Sequence, residues 1–303
     1  MSIQEIQQDI TRLKQEKNAV ILAHYYQVPE VQDVADHVGD SFALSKLAAE
    51  LPQPLIVFCG VSFMAETAKI LSPGKTVLLP VAEAGCPMAD MATGKDVENL
   101  KKQHPDAAVV SYVNSSTDVK VLSDICCTSS NAVKIIRSLP RQKIIFLPDK
   151  NLGSYVAEKV PEKEIILYDG FCPVHEEVMA IDVKLAREEH PGSLLVVHPE
   201  CNPEVRDEAD YIGSTGQMIS YINQSDHDKF IVGTEMGILH PLHVSNPGKK
   251  IVSLTSNFVC PNMKKTSLQN VLESLQQMKN RIELDETVLN KARTPLMRML
   301  ALS

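Results

Sequence analysis

No apolar run in this 303-residue sequence approaches the ~20 residues of a membrane-crossing helix, and no block of Lys or Arg interrupts a net charge of −8. The first absence argues against a membrane-spanning helix. The second argues against nucleic acid or an anionic membrane surface as a general partner. An anionic small substrate stays compatible with the composition, provided its positive counterpart is local. The opening stretch MSIQEIQQDITRLKQEKN has a polar amphipathic pattern and lacks the apolar core of a signal segment, so the expected location is cytoplasmic. A disulfide framework is not expected either. There are seven cysteines, an odd number, in a long chain with no visible leader. Metal ligation, redox chemistry and plain burial remain for them.

Hydrophobic residues make up 44% of the chain and charged residues 22%, enough for a substantial core and too little charge for disorder. Continuous apolar runs predict strands at 19–23, 55–58, 76–80, 107–113, 143–147, 164–168, 193–197, 229–232 and 250–254. Their lack of alternation points to parallel strands buried on both faces. Helical patterns lie between them, at 41–51, 62–71, 95–103, 130–138, 176–189 and 266–282. The alternation gives an α/β fold class.

The chain also resembles itself. Pro29–Gly39 and Pro203–Gly213 share seven identities in eleven positions at an offset of 174. A middle copy fits at an offset of 88, aligning Val31, Val119 and Val205, and Asp36, Asp124 and Asp210. The Cys-Pro pairs follow nearly the same period: Cys86-Pro87, Cys172-Pro173 and Cys260-Pro261 are spaced by 86 and 88. The expected units are 1–90, 91–176 and 177–303, with no Pro/Gly/Ser-rich linker between them, so tight packing is expected. The C-terminal helix that follows Cys260, at 266–282, is expected to close on the first unit.

Equivalent loops at the carboxyl ends of parallel strands could aim Cys86, Cys172 and Cys260 at one axis. Soft thiolates suit an iron–sulfur cluster or zinc, and His175 offers a fourth ligand for a Cys3His zinc site. Recurrence at one repeat phase separates these three from buried small hydrophobes. Cys59, Cys126, Cys127 and Cys201 fall outside the phase and are expected to be buried.

The first strand of each unit ends in a polar triplet: His24-Tyr25-Tyr26, Tyr112-Val113-Asn114 and His198-Pro199-Glu200. One such triplet would read as strand capping; three at one phase read as a site with acid–base capacity. Ser41, Ser129 and Thr215 form a second ring, each before a helical pattern. They are able to cap those helices or to bind an anion there. A third ring begins near Gly60, Pro148 and Thr234 and contains Met64, Asn151 and Glu235. Met64 is expected to pack in the core and Glu235 to be a solvated cap.

The run AHYYQ with GDS, the YVN and TSSNA segments, HPEC, GST and the three separated cysteines resemble the quinolinate synthase family across nearly the whole chain. The resemblance implies three homologous three-layer αβα domains in pseudo-threefold arrangement around a central cluster. It implies a [4Fe–4S] cluster on Cys86, Cys172 and Cys260 with one iron open to substrate. It further implies a condensing, dehydrating transferase that joins iminosuccinate to dihydroxyacetone phosphate, releasing phosphate and two waters, with an aspartate-oxidising enzyme as functional partner. By motif position, His24, Ser41, Tyr112, Asn114, Ser129, His198, Glu200 and Thr215 would line the substrate site. Tyr26, His24 and Thr215 would transfer protons, with Glu200 a further acid or base. A closed cavity is expected, because an imine hydrolyses readily. Some relatives carry Cys-x-x-Cys-x-x-Cys at the third position; here Cys260-Pro261-Asn262-Met263-Lys264 has a single cysteine, which argues against a thiol–disulfide switch there.

Overall fold

Strands rich in Val, Ile and Leu, separated by helices, can pair only in parallel, because each crossover returns the chain to the same sheet edge. The computed structural model, which describes residues 2–303, forms three such sheets. The first holds β1 (Ala19–His24), β2 (His37–Gly39), β3 (Leu55–Cys59) and β4 (Thr76–Leu78). The second holds β5 (Ala108–Tyr112), β6 (Ile125–Cys127), β7 (Lys143–Leu147) and β8 (Glu164–Leu167). The third holds β9 (Leu194–Val197), β10 (Tyr211–Ile212), β11 (Lys229–Gly233) and β12 (Lys250–Ser253). In every sheet the strand first in sequence sits second in space, between the short second strand and the third. All six residues of β1 and all five of β5 are buried, as expected for strands covered on both faces.

The aligned residues explain why the copies fold alike. Asp36, Asp124 and Asp210 accept the backbone N–H of Ile21, Val109 and Leu195 at 2.8, 2.8 and 2.7 Å. Each carboxylate thus clips the edge strand, only two or three residues long, onto the first strand of its sheet. Val31, Val119 and Val205 are fully buried beside these clips. A further repeat is visible once the chain is folded. Lys75, Lys163 and Lys249, spaced by 88 and 86, donate to carbonyls that end the preceding helices: Ala48 and Leu51, Leu139 and Arg141, Ile222 and Ser225. A cation is favoured there because the final helical carbonyls lack intrahelical donors.

Two features differ from the sequence pattern. The 266–282 stretch is helical only over Leu268–Gln277 and stops where Met278 turns left-handed at φ 53°. Residues 176–189 form a separate turn at Pro173–Glu176 and a helix at Ala180–Glu189. The Leu268–Gln277 helix packs on the N-terminal helix Ile3–Glu16 and on β3. The last helix, Glu286–Leu302, lies against the Ser62–Leu71 helix, the Thr117–Leu122 helix and β6. No helix among the described residues is long and apolar enough to cross a membrane.

Candidate functional site

The carboxyl ends of β1, β5 and β9 deliver their polar triplets to one cavity of about 180 Å³. His24 and Tyr26 line it from the first sheet, Tyr112 and Asn114 from the second, His198 and Glu200 from the third. Ser41, Ser129 and Thr215 line it too, as do Cys86, Cys172 and Cys260. The cavity therefore brings together all twelve residues singled out from sequence. The helix-capping role open to the second ring falls to its neighbours. Asp40 and Ser214 cap the helices that begin at Ser41 and Thr215, while Asn131 holds the cap position before Ala132. The hydroxyl of Ser41 is thereby left to the cavity, and that of Thr215 bonds Tyr26 Oη at 2.9 Å.

His24 and His198 share one geometry. Each Nδ1 accepts the backbone N–H of the residue two further on, Tyr26 at 3.1 Å and Glu200 at 3.2 Å. Burial lowers the His24 ring to about 3 and the His198 ring to about 4, so both are neutral near pH 7. A neutral ring accepting at Nδ1 carries its proton on Nε2. His198 donates that proton to Ser129 Oγ at 3.2 Å.

Glu200 is buried, accepts from Tyr112 Oη at 2.7 Å and lies 3.0 Å from His175 Nδ1. Burial opposes its charge, but the imidazoles of His198 and His175 and the hydrogen bonds from His175 and Tyr112 together hold it below the usual carboxylate range. Tyr26 and Tyr112 move the other way: burial, and then the charge of Glu200, keep both phenols protonated.

A chain of hydrogen bonds starts at Glu200. His175 Nδ1 lies 3.0 Å from Glu200 and 3.2 Å from Cys172 Sγ, and His175 Nε2 lies 2.9 Å from Thr234 Oγ1. Thr234 Oγ1 is 2.7 Å from Tyr26 Oη, which is 2.9 Å from Thr215 Oγ1. Thr215, Tyr26, Thr234, His175 and Glu200 form one continuous path along which a proton can be passed. His24 touches Tyr26 by ring edge, with centroids 4.4 Å apart, and makes no bond to its hydroxyl.

Each of the three Cys-Pro pairs starts a helical turn. Proline at the first position pre-sets the backbone and removes one N–H, and the next free N–H groups turn toward the sulfur. The backbone N–H groups of Met88 and Ala89 beside Cys86, of His175 beside Cys172, and of Asn262 and Met263 beside Cys260 favour the charged form of each sulfur. Burial pushes the Cys86 thiol up to about 12 and raises the Cys172 and Cys260 thiols as well. Each is raised further by neighbouring acids: Cys86 by Cys260 and Glu200, Cys172 by Glu200 and Cys86, Cys260 by Glu235. The Cys172 sulfur, a ring nitrogen of His175 and a Glu200 oxygen lie within 4.8 Å of one another. Cys59, Cys126, Cys127 and Cys201 are buried free thiols.

Two residues carry more than the sequence reading gave them. Glu235 is fully buried rather than solvated, although it does cap a short turn by accepting from Gly237 N–H at 2.7 Å. It pairs with Lys264 at 2.8 Å and accepts the Cys260 N–H at 3.1 Å, fixing the third cysteine's loop. Thr234 links Tyr26 to His175. Both belong to the third ring, so the repeat phase marked the region without marking the roles.

Comparison with known proteins places the chain beside one family. The family model described as Quinolinate synthetase A protein matches residues 8–301. A quinolinate synthase of Caldicellulosiruptor bescii is 55% identical over 300 residues, 99% of this chain and 99% of that protein. One of Clostridium perfringens is 54% identical over 295 residues, 97% of this chain and 98% of that protein. One of Sulfurihydrogenibium sp. is 51% identical over 308 residues and covers all of both chains.

Proposed function

The chain belongs to the Quinolinate synthetase A family, and from that premise we propose that it condenses iminosuccinate with dihydroxyacetone phosphate to quinolinate, releasing phosphate and two waters, with a [4Fe–4S] cluster held by Cys86, Cys172 and Cys260. The observation that carries the cluster is the donor set itself. Three partly buried thiols face one cavity, and desolvation opposes their ionisation, so thiolates there call for a cationic centre close by. First-turn N–H groups beside each sulfur favour its charged form, which suits cluster-bound thiolates. When bound, a cluster held by only three thiolates supplies an open iron that acts as a Lewis acid on a substrate oxygen, without net redox change.

The protein's own groups account for the rest. The Ser41 and Ser129 hydroxyls and the Nε2 proton of His24 offer neutral donors to carboxylate and phosphate oxygens, which suits anions in a chain of net charge −8. Held together, the two substrates react as one molecule. Glu200 is the base for the dehydrations, kept ionised by Tyr112 and His175. The path from Thr215 through Tyr26 and Thr234 to His175 returns protons to the leaving oxygen. The cavity is partly enclosed, which limits the access of water to the imine. Seven free cysteines fit a reducing cytosol, where an aspartate-oxidising enzyme would supply the unstable imine.

A Cys3His zinc hydrolase or lyase is the second reading, favoured by the closeness of Cys172, His175 and Glu200. Against it, both ring nitrogens of His175 are already engaged, by Glu200 and Thr234. Anaerobic purification with iron, sulfide and zinc analysis separates the two. A brown protein that makes quinolinate from the two substrates is expected; a colourless protein with stoichiometric zinc overturns the cluster.

A further inference from the structure

We infer that Gln32, Lys120 and Arg206 are positioning residues that set the three cavity loops against one another by closing a ring of contacts between the sheets. The inference rests on the reading of the cavity as a quinolinate synthase site and adds to it the means by which its loops are held.

The three positions are spaced by 88 and 86, the period of the polar triplets. Each lies on the short helix after the first strand: Pro29–Val34, Thr117–Leu122 and Pro203–Asp207. All three side chains are buried, which is uncommon for such residues unless their donors are satisfied. Each head group donates to the carbonyl five residues before it. Gln32 meets Gln27 O at 2.9 Å, Lys120 meets Ser115 O, and Arg206 meets Cys201 O at 2.8 Å. Those carbonyls end the loops that carry Tyr26, Asn114 and Glu200. They sit beyond the strand ladders, where no backbone N–H is in register to take them.

The same head groups reach into the neighbouring sheet's territory. Gln32 donates to Gly237 O at 3.0 Å, so the first loop is tied to the third unit. Arg206 donates to Asn151 O at 3.0 Å, Ser154 Oγ at 3.0 Å and Glu158 Oε1 at 2.9 Å, so the third loop is tied to the second. Lys120 stands over the Phe63 ring, 5.5 Å from its centroid, so the second loop leans on the first. The residues contacted, 63, 151 and 237, are again spaced by 88 and 86. First to third, third to second and second to first make a closed ring of equivalent contacts, the form that rotational repetition gives to a head-to-tail interface. One contact is tight enough to fix the residue type. A Cβ on Gly237 would meet Tyr25 O and Tyr26 Cα at 2.7 Å, so the backbone bearing Tyr26 rests directly on that glycine.

The chemistry needs groups from all three loops in one constellation, and a displacement of 1 Å costs about 100-fold in rate. Cutting one tie should therefore lower turnover beyond its effect on stability. In Arg206→Met, kcat per bound cluster is expected to fall by at least about tenfold, with KM for each substrate changed by less than about threefold. Arg206→Lys should restore part of the loss. Hydrogen exchange should rise in residues 198–202 and 150–154 while the strands of the first sheet keep their protection. A kcat per cluster within about twofold of the parent, with the loss confined to Tm, overturns the inference. Should Arg206→Met not accumulate folded, Gly237→Ala decides, because it keeps every donor and displaces the Tyr26 backbone; unchanged turnover there overturns it as well. If the parent protein itself makes no quinolinate, the functional reading fails by itself, and unaltered exchange at 198–202 in Arg206→Met overturns the positioning role separately.

Discussion

The first and second sheets are joined by oil, whereas the third is joined to both by hydrogen bonds. One apolar cluster runs from Phe63 and Met64 through Tyr112 and Phe146 to Leu296 and Met299 of the last helix, without a break between the first two sheets. The two clusters around the third sheet contain only its own residues. Its links to the rest are polar: Tyr112 to Glu200, Tyr26 to Thr215 and Thr234, Gln32 to Gly237, Arg206 to Asn151 and Lys264 to the Tyr26 carbonyl. Apolar burial is non-directional and stabilises in proportion to area, while hydrogen bonds fix distance and angle at small net gain. The oily joint supplies stability, and the polar joint supplies the geometry of the cavity that lies along it.

The sharpest way to break that division is to remove a thiol. Cys86→Ser, Cys172→Ser and Cys260→Ser are each expected to lose the cluster and all measurable turnover, while the cluster-free proteins melt close to the cluster-free parent. Iron and sulfide content, activity and melting curves check this together. Full iron with undiminished turnover in any one variant removes that cysteine from the ligand set. Next in size is Glu200→Gln, which keeps the carbonyl oxygen and loses the base. It should retain the cluster's visible absorbance and lose about 10²–10⁴ in kcat; unchanged turnover takes Glu200 out of the chemistry. On the oily side, Leu296→Ala empties a fully buried position in the shared core. It should cost ~2–5 kcal/mol of stability with kcat per cluster unaltered at 25 °C. A Leu296→Ala variant that is stable but slow would mean that the shared core also shapes the site.

Much of the fold and of the site was legible in the sequence, and the repeat explains how. Strands such as 143–147 announce themselves because burial on both faces demands unbroken apolar runs. The cysteines and triplets stood out because three copies place the same chemistry at the same strand ends. What escaped is what depends on contacts between copies. The edge strands β2, β6 and β10 have two or three residues, too few to show a period, and rely on the Asp36, Asp124 and Asp210 clips. The last helix hides behind Pro295, which removes one helical N–H, yet Leu289, Ala292, Leu296 and Met299 still form a buried stripe at three- and four-residue spacing. Thr234 and Glu235 gain their roles only through Tyr26, His175, Lys264 and Cys260, none of which is a sequence neighbour.

The smallest expected effect distinguishes the joints by acid alone. The His24 and His198 rings face the cavity, and their folded values of about 3 and about 4 lie below the ordinary 6.5 because burial disfavours the charged form. Between those values the unfolded chain binds the more protons, so stability rises with pH. It is fully present above about pH 6.5 and declines as the pH falls toward 4, by about 1.4 kcal/mol per pH unit for each ring. Urea melts of the cluster-free protein at pH 7.5, 6 and 5 measure that slope. Leu296→Ala should shift the whole curve down with its slope intact, because no titrating group is touched in the shared core. His198→Gln should keep the pH 7.5 value closer to the parent and flatten the slope toward that of one ring. A slope unchanged in His198→Gln but flattened in Leu296→Ala would move the acid sensitivity out of the polar joint and into the oily one, reversing the division between them.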